Sequence, residues 1–349
     1  IFYFTYTINA INNKQIYTTL KQPSTTFIDL SIQNKLNKYL RNHSNPISAI
    51  AVADVKTGNI IALTEGRRFK NNNNLHTSLF AGFPAASIYK IIPTIILLEN
   101  LPQKFIDQLY IYNNCRLNKL FSPWHQRYSK RNIKLSRAYG LSCNNFFAKM
   151  GLSFINIVQI KKWSSKLGWN KKIAADFSIP ISKINFPIIK KSSMYNIGTY
   201  YAGFGNIGLS PLHALWIALT IANNGQSKPL TLHRTTKQHN NALPLFSHNT
   251  AIKLKQYMHS TVQSGTSSSV FNKKRYKKLK SRTGGKTGSL SSKYPKGKIN
   301  WFIGLYPYKN PQIAVSSIVV YNNKWTIKAT HLAAEAILLW NKANNRKQH

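Results

Sequence analysis

The sequence predicts a mixed α/β (α+β) fold, one antiparallel sheet flanked by helices and carrying an all-helical subdomain. Three observations predict it. Short β-type runs lie near both ends of the chain, the stretch between them has helical periodicity, and Gly, Pro and Asn punctuate the joints. Strands at both ends around a helical middle imply that the terminal segments share one sheet.

Thr26–Leu40 reads as a capped helix, followed by strands over Ile47–Val55 and Asn59–Thr64. Between them Lys56-Thr57-Gly58 is expected as a hairpin turn, because Gly and Asn supply turn geometry there. Ser87–Leu101 reads as a helix in which Pro93 either kinks the axis or marks a tight first turn. Ile133–Gly151 holds a helix, a turn at Ser142 and a second helix. Ile155–Gly168 and Pro211–Asn224 are expected as amphipathic helices, the second opened by Ser210-Pro211 and closed by Asn224-Gly225. Thr250–Val262 is another helix. Arg282–Leu290, Lys298–Tyr306 and Gln312–Tyr321 then alternate like antiparallel strands, and Ala329–Ala343 closes as a helix.

With 349 residues, 43% of them hydrophobic, the chain can bury a large core. Residues 26–349 read as one domain, and residues 1–25 as the remnant of a membrane anchor or linker. Ile1–Ile11 is apolar but far too short to span a bilayer.

Charge narrows the chemistry. Only seven acidic residues occur, Asp29, Asp54, Glu65, Glu99, Asp107, Asp176 and Glu335, and they are expected scattered through turns and helix ends. Paired-carboxylate glycoside chemistry, carboxylate-bound Mg or Ca and a Ser-His-Asp triad all need acids gathered in a cleft. Lysine must therefore move the protons. His76, His125, His213 and His259 lack metal-ligand spacing and are expected in packing or surface roles; no metal or cofactor is expected.

The net charge of +42 suggests a polyanionic partner. Lys, Asn and Ile are enriched everywhere at once, including Asn71–Asn74, as a genome-wide nucleotide bias would produce, so no specific nucleic acid is expected. The one concentrated basic run, Asn272–Arg282, is expected as a solvated loop. An anionic phospholipid surface or wall polymer suits such charge better.

Three short segments carry chemistry: Ser87-Ile-Tyr-Lys90, Ser142-Cys143-Asn144, and Lys286-Thr287-Gly288 within a strand-like run. A serine hydroxyl is a poor nucleophile at its free pKa and needs a neighbouring base; on a helix the residue three positions on shares its face. Lys90 meets that condition. It can accept a proton only if its pKa is lowered, which burial and a second cation such as Lys286 would both do. Together the segments form an active-serine acyltransferase pattern.

On these motifs the chain resembles the penicillin-binding transpeptidase family, from roughly Thr26 to the C-terminus. Ala51–Leu63 is similar to the family's opening hairpin and Phe83–Lys90 to its nucleophile turn. Tyr201–Gly225 is similar to its G-x-G…SP-x helix segment, and Gly284–Pro307 to its K-T-G strand, loop and W-F-x-G strand. The resemblance implies a β-lactamase/transpeptidase-like architecture, peptidoglycan stem peptides and β-lactams as partners, a separate glycosyltransferase, and the extracytoplasmic face of the cell envelope.

Roles follow from the same resemblance. Ser87 is implied as the acylated nucleophile, Lys90 as its base and Ser142 as the proton relay to the leaving amine. Asn144 is implied to bind the substrate's peptide carbonyl, Lys286 to raise the local potential, and Thr287 to bind the terminal carboxylate. Gly288 is implied to let substrate backbone approach, and Ser289 to share an oxyanion hole with Ser87 through backbone N–H groups. Cys143 is expected to point away from the cleft as a small buried apolar residue, with a bond to Cys115 in an oxidising compartment as the alternative. A D,D-transpeptidase is the leading expectation. Class A lactamases use a glutamate after the S-x-N segment, and here no Glu lies between Glu99 and Glu335. A D,D-carboxypeptidase, a lactamase and a catalytically silent binding module stand as alternatives.

Overall fold

Alternating and all-apolar runs decide the sheet. The computed structural model describes residues 26–44, 46–67, 76–112, 115–117, 131–188, 192–234, 242–321 and 326–345. The expectations for residues 1–25, Asn71–Asn74 and His125 lie outside them. Helix α1 (Leu30–Asn42) is capped by Asp29, whose carboxylate accepts the Ile32 N–H at 3.1 Å. Strand β1 (Ile47–Asp54) is buried along nearly its whole length and turns through Lys56-Thr57-Gly58 into β2 (Ile60–Glu65). In that turn Asp54 Oδ1 accepts the Thr57 N–H at 2.8 Å and Gly58 adopts φ +80°, so this copy of K-T-G is the hairpin turn expected.

Helix α2 (Ile91–Asn100) starts after a single 3₁₀ turn at Ala86–Ile88, and Pro93 sits in its first turn, where a missing N–H costs nothing. Helices α3 (Leu135–Gly140) and α4 (Asn144–Phe154) flank Ser142. The expected amphipathic helix after Ser210-Pro211 is α5 (Pro211–Ala222), and here the structure differs: every residue of it is buried. It packs against β1 and the last strands on one side and the helical subdomain on the other, so no face is left for water. Ser210 caps it by accepting the His213 N–H at 3.1 Å. Helix α6 (His248–Gln263) is capped likewise by Ser247.

Strands β3 (Gly284–Lys293), β4 (Lys296–Tyr306) and β5 (Ile313–Tyr321) complete a five-stranded antiparallel sheet in the order β2-β1-β5-β4-β3. Ala51 pairs with Ser316 and Lys286 with Ile303. The terminal segments thus meet in one sheet, and helix α7 (Ala329–Asn345) returns across it. One face buries Leu36, Val52, Phe302, Val315 and Ile337 beneath α1 and α7; the other buries Ala51, Trp301, Ile303 and Ile318 against α5 and the helical subdomain. No helix among the described residues is long and apolar enough to cross a membrane.

The basic run 272–282 is not a solvated loop. It holds a short helix, Lys277–Lys280, and buries Tyr276 and Leu279. Arg275 forms a two-point ion pair with Glu335 at 2.5 and 2.7 Å, and Tyr276 donates to the same carboxylate. Glu335 is therefore buried in mid-helix, unlike the expected placement of acids at turns and helix ends. Leu279 and Tyr276 supply apolar area that the count of cations concealed.

Candidate active site

Ser87 lies in the turn that leads into α2. A 3₁₀ turn eclipses positions i and i+3, which brings Lys90 Nζ to 2.7 Å from Ser87 Oγ. Two hydrogen bonds hold the turn. Ala85 N–H donates to Ile207 O at 2.9 Å, Trp301 Nε1–H of β4 donates to Pro84 O at 2.9 Å, and Ala86 takes a left-handed φ of +48°. Gly203 makes room for it, since a Cβ there would sit 2.3 Å from Ala86 O. A non-glycine residue at positive φ costs of order 1 kcal/mol or more and persists only where its surroundings fix it.

The two other segments converge on the same lysine. Lys90 Nζ is 2.5 Å from Asn144 Oδ1 and 3.4 Å from Ser142 Oγ, while Lys286 Nζ is 2.9 Å from Ser142 Oγ and 2.8 Å from Thr287 O. Ser87, Lys90, Ser142, Asn144 and Lys286 thus form one connected polar cluster in which the Ser142 hydroxyl bridges the two lysines and Lys90 also reaches Ser87 and Asn144. No carboxylate belongs to it. Both ammonium groups are fully buried. Burial, followed by the charge on Lys286, holds Lys90 well below the ordinary lysine pKa. Burial also lowers Lys286, to about 7. Each lysine additionally lies over an aromatic face, Lys90 above Phe147 at 5.7 Å and Lys286 above Tyr139 at 5.5 Å, which favours the charged form and tempers the shift. A lysine kept short of full protonation beside a serine hydroxyl can accept its proton.

Thr287 is half-buried and Ser289 exposed two residues further along β3. Gly288 is buried, and the space its Cβ would take is bounded by Ile88 Cγ1 at 3.2 Å and Ala85 O at 3.3 Å, so the missing side chain lets β3 close against the Ser87 turn. Sequence reasoning missed Thr266. Its hydroxyl is 2.5 Å from that of Thr287, and its N–H donates to Gly140 O at 3.1 Å. Only the neighbouring Gly265, packed so closely that a Cβ would meet Gly140 O at 2.1 Å, hinted at a constrained loop.

The expectation for Cys143 as a lone apolar residue is corrected. It is fully buried as expected, but it forms a disulfide with Cys115, their Cα atoms 4.2 Å apart. Sequence separation says nothing of this, because the approach of residue 115 to residue 143 is a tertiary event. Among the described residues, His76, His213 and His259 take no part in the cluster. His213 is buried beneath Trp169 with Nε2 2.7 Å from Leu167 O, and burial lowers its pKa to about 4. His76 pairs with Glu65 at 2.8 Å, and His259 stacks on Tyr308.

A family model described as the penicillin binding protein transpeptidase domain matches residues 48–339. Comparison with curated proteins finds no match. Among solved structures, a peptidoglycan glycosyltransferase from Burkholderia ambifaria is similar over 92% of this chain and 98% of its own, with 19% identity and a TM-score of 0.74. The D,D-transpeptidase domain of a peptidoglycan glycosyltransferase from Eggerthella lenta is similar over 91% of this chain and 82% of its own, with 16% identity and a TM-score of 0.72. Penicillin-binding protein A from M. tuberculosis, solved as an imipenem acyl-enzyme complex, is similar over 96% and 84%, with 16% identity and a TM-score of 0.73. At these identities the likeness speaks for the fold, the β-lactamase-like arrangement of one antiparallel sheet between helices.

Proposed function

This chain belongs to the penicillin-binding protein transpeptidase domain family, and from that membership we propose that it is a serine D,D-transpeptidase that cross-links D-Ala-D-Ala-type peptidoglycan stem peptides and is acylated by β-lactams. The observation that carries the reading is Lys90 Nζ within 2.7 Å of Ser87 Oγ and 2.5 Å of Asn144 Oδ1, fully buried, with Lys286 on the far side of Ser142.

In this mechanism neutral Lys90 takes the Ser87 proton as Oγ bonds to the penultimate D-Ala carbonyl carbon. Backbone N–H groups of Ser87 and Ser289 hold the developing oxyanion, a contribution of about 3 kcal/mol for each donor. Ser142, between the two lysines, passes a proton to the departing D-Ala amine as the C–N bond breaks. The acyl-enzyme then loses its ester bond to an acceptor amine, whose proton returns through Lys90 to Ser87. Thr287 binds the terminal carboxylate, Asn144 the peptide carbonyl, and Lys286 supplies positive potential. A β-lactam enters the same path through its ring amide, as the imipenem complex of the M. tuberculosis protein illustrates for that neighbour.

The disulfide supports a place on the extracytoplasmic face of the envelope, since such bonds persist in oxidising compartments. There the net charge of +42 favours an anionic membrane surface, and a separate glycosyltransferase would supply the glycan strands. Fluorescent penicillin labelling, followed by mass spectrometry of the acylated peptide, tests the assignment: the adduct is expected on Ser87. An adduct elsewhere, or none, sinks it. Release of a single D-Ala from a stem-peptide analogue without cross-linked product would place the chain among D,D-carboxypeptidases instead.

A further inference from the structure

The S-x-N segment has an unusual dependence on a distant strip of chain. Ser142 adopts a left-handed φ of +55°, which serine does not favour unaided. Helix α4 begins immediately after it, with Cys143 at the capping position and no side chain accepting a first-turn N–H. Residue 115 supplies both missing restraints. Its carbonyl accepts the Asn144 N–H at 2.9 Å, and its sulfur is bonded to that of Cys143. The Ser142 and Cys143 N–H groups donate to Tyr139 O and Ala138 O of α3 at 2.9 Å each, and Cys143 O accepts the Phe147 N–H of α4 at 3.2 Å. Cys143 is fully buried and faces away, so the side chains on either side of it reach Lys286 and Lys90. The clasp grips the backbone between the two side chains that touch the lysines.

We propose that Cys115 and Cys143 are positioning residues for the acylation step, and that their disulfide makes the site redox-dependent: oxidised, it holds Ser142 and Asn144 against the lysine pair; reduced, it releases them. The inference rests on the acyltransferase reading of the same site. Reduction needs a dithiol or phosphine: with a dithiol, one thiolate bonds to the half-buried Cys115 sulfur, Cys143 leaves as thiolate and takes a proton, and the second thiol displaces Cys115. Two electrons and two protons pass to the protein, and the reductant becomes a cyclic disulfide. Cys115 can then withdraw with its carbonyl, leaving the Asn144 N–H without its acceptor.

The test is acylation of the full chain by a fluorescent penicillin, oxidised and after reduction with dithiothreitol, measured as a rate constant per titratable site across pH. Reduction is expected to slow each site by on the order of a hundredfold while most sites remain titratable. The pH at which acylation rises should also move down, because Asn144 Oδ1 and Ser142 Oγ no longer accept from Lys90 and favour its charged form. Cys115→Ala should reproduce the reduced behaviour and be indifferent to the reductant. Equal rate constants and pH profiles in both states overturn the proposal. So does a loss of titratable sites with unchanged kinetics in the remainder, seen both on reduction and in Cys115→Ala, because the bond would then only hold the fold. Failure of the oxidised protein to label at all would instead overturn the function on which the proposal rests.

Discussion

At the scale of single residues the site is an exercise in keeping one lysine neutral beside another. Ser87→Ala removes a half-buried hydroxyl that packs little, so labelling by penicillin should vanish while thermal unfolding stays within about 0.5 kcal/mol of the parent; stoichiometric labelling of that variant would refute the nucleophile. Lys286→Ala removes the cation that helps lower the Lys90 pKa. Acylation needs neutral Lys90, so its rise with pH should move to higher pH, toward the free-lysine value of about 10.4. The midpoint belongs to the coupled pair. A midpoint that stays put while only affinity falls would make Lys286 a binding residue and leave burial as the sole tuning of Lys90. Thr266 supplies the test of the carboxylate site: Thr266→Val should weaken β-lactam binding by about 1 kcal/mol with little change in the acylation rate constant, as expected of one lost hydrogen bond.

At the scale of elements, local signals are read well where they are chemical and poorly where they are relational. Asp29, Ser210 and Ser247 cap the helices they precede, and Pro93 falls in a first turn, because caps and proline act within a few residues. The wholly buried character of α5 is legible in its own residues, since Pro211–Ala222 carries only His213 and Thr220 as polar side chains and has no polar face to offer water, so the amphipathic expectation did not fit it. The turn at Ser87 is a joint between elements: Gly203 at φ +90° leaves space for Ala86 O, and Gly288 lets β3 approach Ile88. Gly203→Ala should therefore cost about 1–3 kcal/mol of stability and slow acylation together, because the clash at 2.3 Å moves the residue preceding Ser87. Ser210→Ala is the contrasting change: it should cost about 1 kcal/mol through the lost cap and leave the acylation rate constant unaltered. Chemical denaturation and stopped-flow acylation of both variants separate the two effects.

At the scale of the whole molecule, two fully buried lysines are a standing burden on stability. Lys286 titrates near 7 in the fold and near 10.4 when unfolded, so between those values the unfolded chain holds more protons. The Lys286 contribution should accordingly rise with pH from about 7 toward 10 and stay constant below about 7, where both states hold that proton, while Lys90, also lowered by burial, adds a rise of the same sign. In Lys286→Met the slope over that window should flatten; an equal slope in the two proteins would show that Lys286 is not buried as described. The scarcity of acids has its own consequence. No carboxylate lies in the cluster to activate water, so the acyl-enzyme with a chromogenic cephalosporin should be long-lived. Turnover approaching a typical enzyme's ~10 per second would mark a lactamase.

Fold class, the strands at both ends, the principal helices and the three segments that meet at Lys90 are all legible in the residue order, because periodicity, caps and the i, i+3 relation are local physics. The scarcity and scatter of the seven acids along the chain also argue against carboxylate chemistry. The Cys115–Cys143 bond, the Thr266 contact, the anchoring of the basic run through Arg275 and Glu335, and the burial that lowers both lysines emerge from the packed chain alone. Each of these joins residues far apart in the chain or depends on what excludes water from them. Pattern within a window carries no record of either.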